Sequence, residues 1–237
     1  MSLIKPKARD RCQAIDGLRP PTAQHGLINF YEHFKQPKVH NPNYKQHKIE
    51  LPFRALVACA SGGGKSNLLC NLLYEMNNTF HRIYIITKAS EPLYDFVCTK
   101  LKDCSIHYAD QPWPDLPKMD KGENGLIVYD DMVLTKDNRI GEMFIRGRKL
   151  GYSSIYITQS FYGTPKMIRQ NVSYIWLGHG LAQRDLGMIL KEFAMGIDRS
   201  ELERLYSELT RVKMSFMMID TLGRNIRSNI TTIVREY

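Results

Sequence analysis

Cys59-Ala60-Ser61-Gly62-Gly63-Gly64-Lys65-Ser66 is the stretch on which the reading of this chain turns. It follows a short apolar run, Pro52 to Ala60, and leads into Asn67 to Met76, where Leu68, Leu69, Leu72, Leu73 and Met76 fall on one helical face. Strand, glycine-rich loop and helix in that order predict a phosphate-binding loop. Several backbone N–H groups must turn inward around a phosphate, which glycines permit, and a helix N-terminus behind them adds positive potential. Lys65 is the cation for the transferred phosphate and Ser66 the hydroxyl for Mg²⁺. Ser61, Gly62, Gly63, Gly64, Lys65, Ser66 and Asn67 together are the expected nucleotide-binding set. Cys59 stands where such loops carry their first glycine, and the three successive glycines supply the flexibility.

Working outward, Leu126-Ile-Val-Tyr-Asp130-Asp131 is an apolar strand ending in two acids. Asp130 at the strand tip suits a water-linked metal, and Asp131 suits the base that polarises an attacking water. Arg82 to Thr87 and Ser105 to Ala109 read as strands between the loop and this acid pair, and Ser153 to Thr158 as the next, ending in Gln159. Gln159 would sit beside the γ-phosphate and sense its loss. Ser173 to Gly178 completes the core strands, with helical patterns at Pro92–Lys102, Arg139–Leu150, Arg184–Phe193 and Ser200–Leu209. Strands alternating with helices predict an α/β fold with a mainly parallel sheet covered on both faces, of the RecA-like, additional-strand P-loop class. Met214 to Asp220, a turn at Leu222 to Asn225, and Ile226 to Val234 predict a terminal antiparallel hairpin or edge pair.

GGGKSN, IVYDDM, RGRKLGYSSIYITQS and PKMIRQNVSYIWLG, taken together over roughly residues 51 to 210, resemble the FtsK–HerA superfamily, specifically genome-packaging ATPases of poxvirus-like large DNA viruses and virophages. The resemblance implies an ATP- and Mg²⁺-dependent motor, a homo-oligomeric ring of five or six subunits, and pumping of double-stranded DNA into a capsid whose proteins are possible partners. It also implies an arginine delivered by the neighbouring subunit. Gly147-Arg148-Lys149 fits that pattern best, so Arg148 is the first candidate, Arg146 the second and Arg169 the third. Lys166 with Tyr162, after Gln159, is one candidate for tracking DNA phosphates, and the basic arm is another.

Across its 237 residues the chain carries 33 Lys and Arg against 24 Asp and Glu, a formal charge of +9. Residues 1–50 and 139–169 net +5 each, whereas 51–138 and 170–220 together net −3, so the basicity lies largely outside the core segments. That excess points to a polyanionic partner, with a share serving ATP at subunit boundaries. The expected organisation is a basic, proline-containing arm (1–50) with one short helix near Gly26–Phe34, an ATPase core (51–212) and a terminal extension (213–237). Five cysteines without a C-x-x-C pair predict reduced thiols and an intracellular setting, and no apolar run is long enough for membrane insertion. Trp113, between two prolines, is a possible cover for an adenine. The residues by themselves leave two other readings open: a small-molecule phosphotransferase, and a nucleotide-binding regulatory protein with little turnover.

Overall fold

The computed structural model describes residues 39–135 and 137–237. The helix expected near Gly26–Phe34 lies outside the described residues. In chain order the elements are α1 (Tyr44–His47), β1 (Arg54–Ala58), α2 (Lys65–Glu75), β2 (Arg82–Thr87), α3 (Pro92–Lys100), β3 (Cys104–Tyr108), β4 (Gly125–Asp130), a 3₁₀ turn (Met132–Leu134) and α4 (Asn138–Leu150). There follow β5 (Tyr152–Thr158), α5 (Lys166–Arg169), β6 (Tyr174–Gly178), α6 (Gln183–Glu192), α7 (Arg199–Leu209), β7 (Phe216–Asp220), β8 (Asn225–Ser228) and β9 (Thr232–Glu236).

One nine-stranded sheet runs β3-β2-β4-β5-β1-β6-β7-β8-β9, parallel from β3 to β6. The central strands are apolar on both faces because helices cover both. Leu56, Ile127, Tyr129 and Tyr156 face one layer of core with Phe144 of α4 and Ile189 of α6. Val57, Leu126, Val128 and Ile157 face the other, with Leu69 and Leu72 of α2 and Tyr94 of α3. β5 lies between β1 and β4, so this is the additional-strand P-loop NTPase arrangement, as the spacing predicts. Two strands, β2 and β3, separate the glycine loop from the acid pair in sequence.

The C-terminal region is more extensive than one hairpin. β7 pairs antiparallel with β6, β8 with β7, and β9 with β8, the stretch Ile226–Val234 itself turning back on Asn229 to Thr231. Asp220 and Arg227, each about 1% exposed, form a buried ion pair in this extension. Arg227 also donates to the carbonyls of His47 and Lys48, so the segment before β1 is tied to the far end of the chain. Asn43 donates to the Glu75 carbonyl and the Glu50 N–H to the Tyr174 hydroxyl, extending that seam.

The cysteine arithmetic misses one pairing: Cys98 of α3 and Cys104 of β3 form a disulfide pair six residues apart, a spacing that a search for C-x-x-C does not register. Cys59 is buried and Cys70 half-buried, both as free thiols. Among the described residues no helix is long and apolar enough to cross a membrane.

His47 is fully buried, its Nδ1 accepting from the Ile49 N–H, and burial beside Arg227 pushes its pKa down to about 4. In the unfolded chain an imidazole protonates near pH ~6.5, so between ~6.5 and about 4 the unfolded state binds the extra proton. This group therefore leaves stability unchanged above pH ~6.5 and lowers it progressively as pH falls toward 4. Thermal melts across that window should show a steeper acid-side loss of melting temperature for the wild type than for His47→Asn, whose amide oxygen replaces Nδ1. Equal slopes would exclude His47 as the titrating group.

Candidate nucleotide site

Parallel strands deliver their following loops to one edge of the sheet, where ligand clefts form. Ala58 pairs with Thr158, and Asp130 with Ile157, so the loops after β1, β4 and β5 leave the sheet side by side. They enclose a cleft of about 490 Å³ lined by Ser61, Gly62, Gly64, Lys65, Ser66, Asn67, Asp130, Asp131 and Gln159. Of the predicted nucleotide, metal and catalytic residues, Gly63 and the candidate fingers Arg146, Arg148 and Arg169 lie outside that lining.

Gly64 adopts φ +93 as it caps α2, a left-handed conformation that glycine takes without penalty. Lys65 Nζ donates to the carbonyls of Cys59 and Ala60, at 3.3 and 3.1 Å, so the ammonium is held against its own loop. Cys59 is accommodated from beneath. Its thiol donates to the His179 carbonyl at 3.5 Å, and a Cβ at Gly63 or Gly178 would come within 2.1 or 2.3 Å of its sulfur. Glycines at 63 and 178 thus make room for the side chain that replaces the usual first glycine, and the thiol turns into the core below the loop. Burial raises its pKa, so it stays protonated and acts as a small apolar group.

Asp130 ends β4. Burial first, then the nearby Glu91 and Asp131 carboxylates, push its pKa up to about 6 against the lowering influence of Tyr94 and Lys65. Asp131 is exposed at the next position, with φ +51; its N–H continues the ladder to the Ile157 carbonyl, and its side chain makes no cap bond to the 3₁₀ turn it precedes. Gln159 Nε2 donates to Asp131 Oδ2 at 3.4 Å, joining the ends of β4 and β5. Glu91, Asp130 and Asp131 share the cleft with two lysines, Lys65 and Lys88. The Ser66 hydroxyl and the Asp130 carboxylate are hard oxygen donors on one cleft, a set that fits a cation such as Mg²⁺, which takes only one or two protein ligands when it arrives on phosphate oxygens.

Two contributors come from a loop that the motif search passes over. Ser66 Oγ donates to Glu91 Oε2 at 2.8 Å, and the Tyr94 hydroxyl donates to Asp130 Oδ2 at 3.0 Å. Both belong to the start of α3, at the carboxyl end of β2, which is where the parallel-sheet rule directs attention. Met214 also lines the cleft: β7 runs antiparallel to β6, so the residues before Phe216 return to the same edge. Trp113 does not line the cleft; its ring packs near Tyr129 and under the Arg139 guanidinium, 4.9 Å from the ring centre.

The candidate fingers lie elsewhere. Arg148 is exposed in the last turn of α4, which leads back to the amino end of β5, about 15 Å along the helix from its start. It is therefore unavailable to the cleft of its own chain. Arg146 pairs with Glu142 one turn earlier, and Arg169 is occupied: it donates to the Thr164 carbonyl, pairs with Glu192 at 2.7 Å and covers the Phe161 ring. Asp185 of α6 accepts the N–H groups of Phe161 and Tyr162, fixing the loop after Gln159, while Lys166 and Tyr162 remain exposed.

No protein-family model and no curated protein matches the chain. Solved structures do share its fold. The genome-packaging NTPase B204 from Sulfolobus turreted icosahedral virus 2, in complex with ATPγS, matches at TM-score 0.53 and 15% identity over 78% of this chain and 100% of that one. The DNA-packaging ATPase B204 from Sulfolobus turreted icosahedral virus matches at TM-score 0.51 and 15% identity over 82% and 100%.

The fit around Cys59 is testable. Gly178→Ala should destabilise the protein by about 1–3 kcal/mol in urea unfolding, because the new methyl meets a filled niche. Combining it with Cys59→Gly should recover part of that loss, a non-additivity expected of touching side chains; strictly additive effects would exclude the niche. With these strand ends and the B204 likeness, the chain has the fold of an additional-strand P-loop NTPase.

Proposed function

We propose that this protein is an ATP-hydrolysing motor of the FtsK–HerA type that translocates double-stranded DNA, packaging a viral genome into a preformed capsid. The observation that carries the reading is the convergence of Lys65, Ser66, Asp130, Asp131 and Gln159 on one cleft. The fold shared with B204 supports it.

In this reading the loop amides and Lys65 hold the β- and γ-phosphates and counter the charge that grows on the leaving oxygen. Ser66 and Asp130 would hold Mg²⁺, which when bound would supply charge neutralisation to the phosphates. Asp131 accepts the proton of the attacking water, and Gln159, already within reach of Asp131, orients that water and registers the departure of phosphate. Arg148 serves the neighbouring subunit's nucleotide, which its place at the amino end of the sheet permits and a role within its own chain does not. Exposed Lys166 and Tyr162 meet DNA phosphates without reading sequence.

Purified protein should convert ATP to ADP and inorganic phosphate faster when double-stranded DNA is added. Asp131→Asn should retain ATP binding while turnover falls by roughly 10²- to 10⁴-fold, the usual share of a general base. Wild-type turnover in that variant would remove the base assignment, and phosphate appearing on a small acceptor would favour a phosphotransferase. Mixing Lys65→Ala with Arg148→Ala subunits should restore part of the activity that each lacks alone, because an intact cleft then meets an intact finger. No recovery at ring-forming concentration would exclude action in trans.

A further inference from the structure

We propose that Glu91 and Tyr94 are positioning residues for the cation site, Glu91 acting through Ser66 and Tyr94 through Asp130; this rests on the ATP reading above. A serine hydroxyl has one hydrogen and two lone pairs. To present a lone pair to a cation, it must direct its hydrogen elsewhere. Ser66 directs it to Glu91 Oε2 at 2.8 Å, and a carboxylate acceptor makes that bond strong enough to fix the side-chain rotamer. Asp130 poses the complementary problem. The Tyr94 hydroxyl donates to Oδ2 at 3.0 Å, which fixes the carboxylate plane and leaves Oδ1 for the cation.

Glu91 is the extended N-cap residue of α3 and Tyr94 lies in its first turn, so one helix start carries both side chains. Their support is rigid. Pro92 occupies the first turn of α3, Tyr94 is fully buried, and the preceding loop is closed by Thr87, whose Oγ1 donates to the Ala89 carbonyl and accepts from the Ala89 N–H. α3 therefore acts as a jig that orients one oxygen from the glycine loop and one from the acid strand. Neither residue needs to touch the nucleotide.

The test is an Mg²⁺ titration of binding by a fluorescent, non-hydrolysable ATP analogue, with a parallel measurement in EDTA. Groups that orient metal ligands typically contribute roughly 10- to 100-fold in metal affinity, so Glu91→Ala should raise the half-saturating Mg²⁺ concentration by about that factor. Glu91→Gln, which still offers an acceptor oxygen to Ser66, should recover most of the affinity. Tyr94→Phe should shift the titration in the same direction as Glu91→Ala, and binding in EDTA should match wild type for all three variants. An unchanged Mg²⁺ midpoint in Glu91→Ala and Tyr94→Phe would overturn the proposal. So would Glu91→Gln behaving like Glu91→Ala, since Glu91 would then act by its charge, and so would loss of binding in EDTA, since the residues would then support the loop itself. If wild type binds no analogue at any Mg²⁺ concentration, the ATP reading falls and this inference with it.

Discussion

The cleft depends on β5 being hydrogen-bonded on both sides, to β1 and to β4, in one parallel register. Because Ala58, Asp130 and Thr158 end their strands at nearly the same level, the glycine loop, the acid pair and Gln159 share a single edge. A slip of one residue would turn every side chain of β5 to the opposite face. The register is held by burial, since all seven residues of β5 are buried, and by polar pins at its start. Ser153 accepts from the Phe53 N–H and bonds Asn124, and the Ser154 N–H donates to the Phe53 carbonyl. Packing at the amino ends of the strands thus fixes the chemistry at their carboxyl ends.

What sequence reveals about this site follows from how local each determinant is. Strand, loop and α2 are contiguous, so glycines, Lys65 and the leucine period declare them together. Asp130, Asp131 and Gln159 are readable because each ends an apolar run. Glu91 and Tyr94 carry no such mark: a glutamate before a proline and a tyrosine in an amphipathic helix have ordinary local roles, and only the packing of α3 against α2 brings them to Ser66 and Asp130. Met214 is hidden for another reason, since its place depends on β7 running antiparallel to β6.

The terminal extension shows the same limit at longer range. Arg227 and His47 are 180 residues apart, and nothing in either neighbourhood announces their contact. Arg227 in a strand reads as a solvated edge residue, yet it is about 1% exposed, paired with Asp220 and bonded to carbonyls on the segment before β1. A buried pair of this kind is weak evidence of net stability, because desolvation offsets much of its attraction, but removing one partner is costly. Its consequence here is geometric: residues 39–50 and the β7–β8 hairpin are fastened to each other beside the parallel sheet.

The direction of the strands also sorts some of the charge. At the carboxyl ends of the strands the cleft is mixed in charge: Glu91, Asp130 and Asp131 line it together with Lys65 and Lys88, and Arg211 and Lys213 lie beside the glycine loop. Basic groups gather at the amino ends: Arg54 and Arg82 open β1 and β2, and Arg148 and Lys149 close α4, where they also complement the helix dipole. Burial first, and then the like charge of Arg148, lower the pKa of Arg54, which places these two cations near each other at this end. The polarity of the sheet, with the cleft at the carboxyl ends of the strands and Arg148 near their amino ends, keeps Arg148 away from the cleft of its own chain.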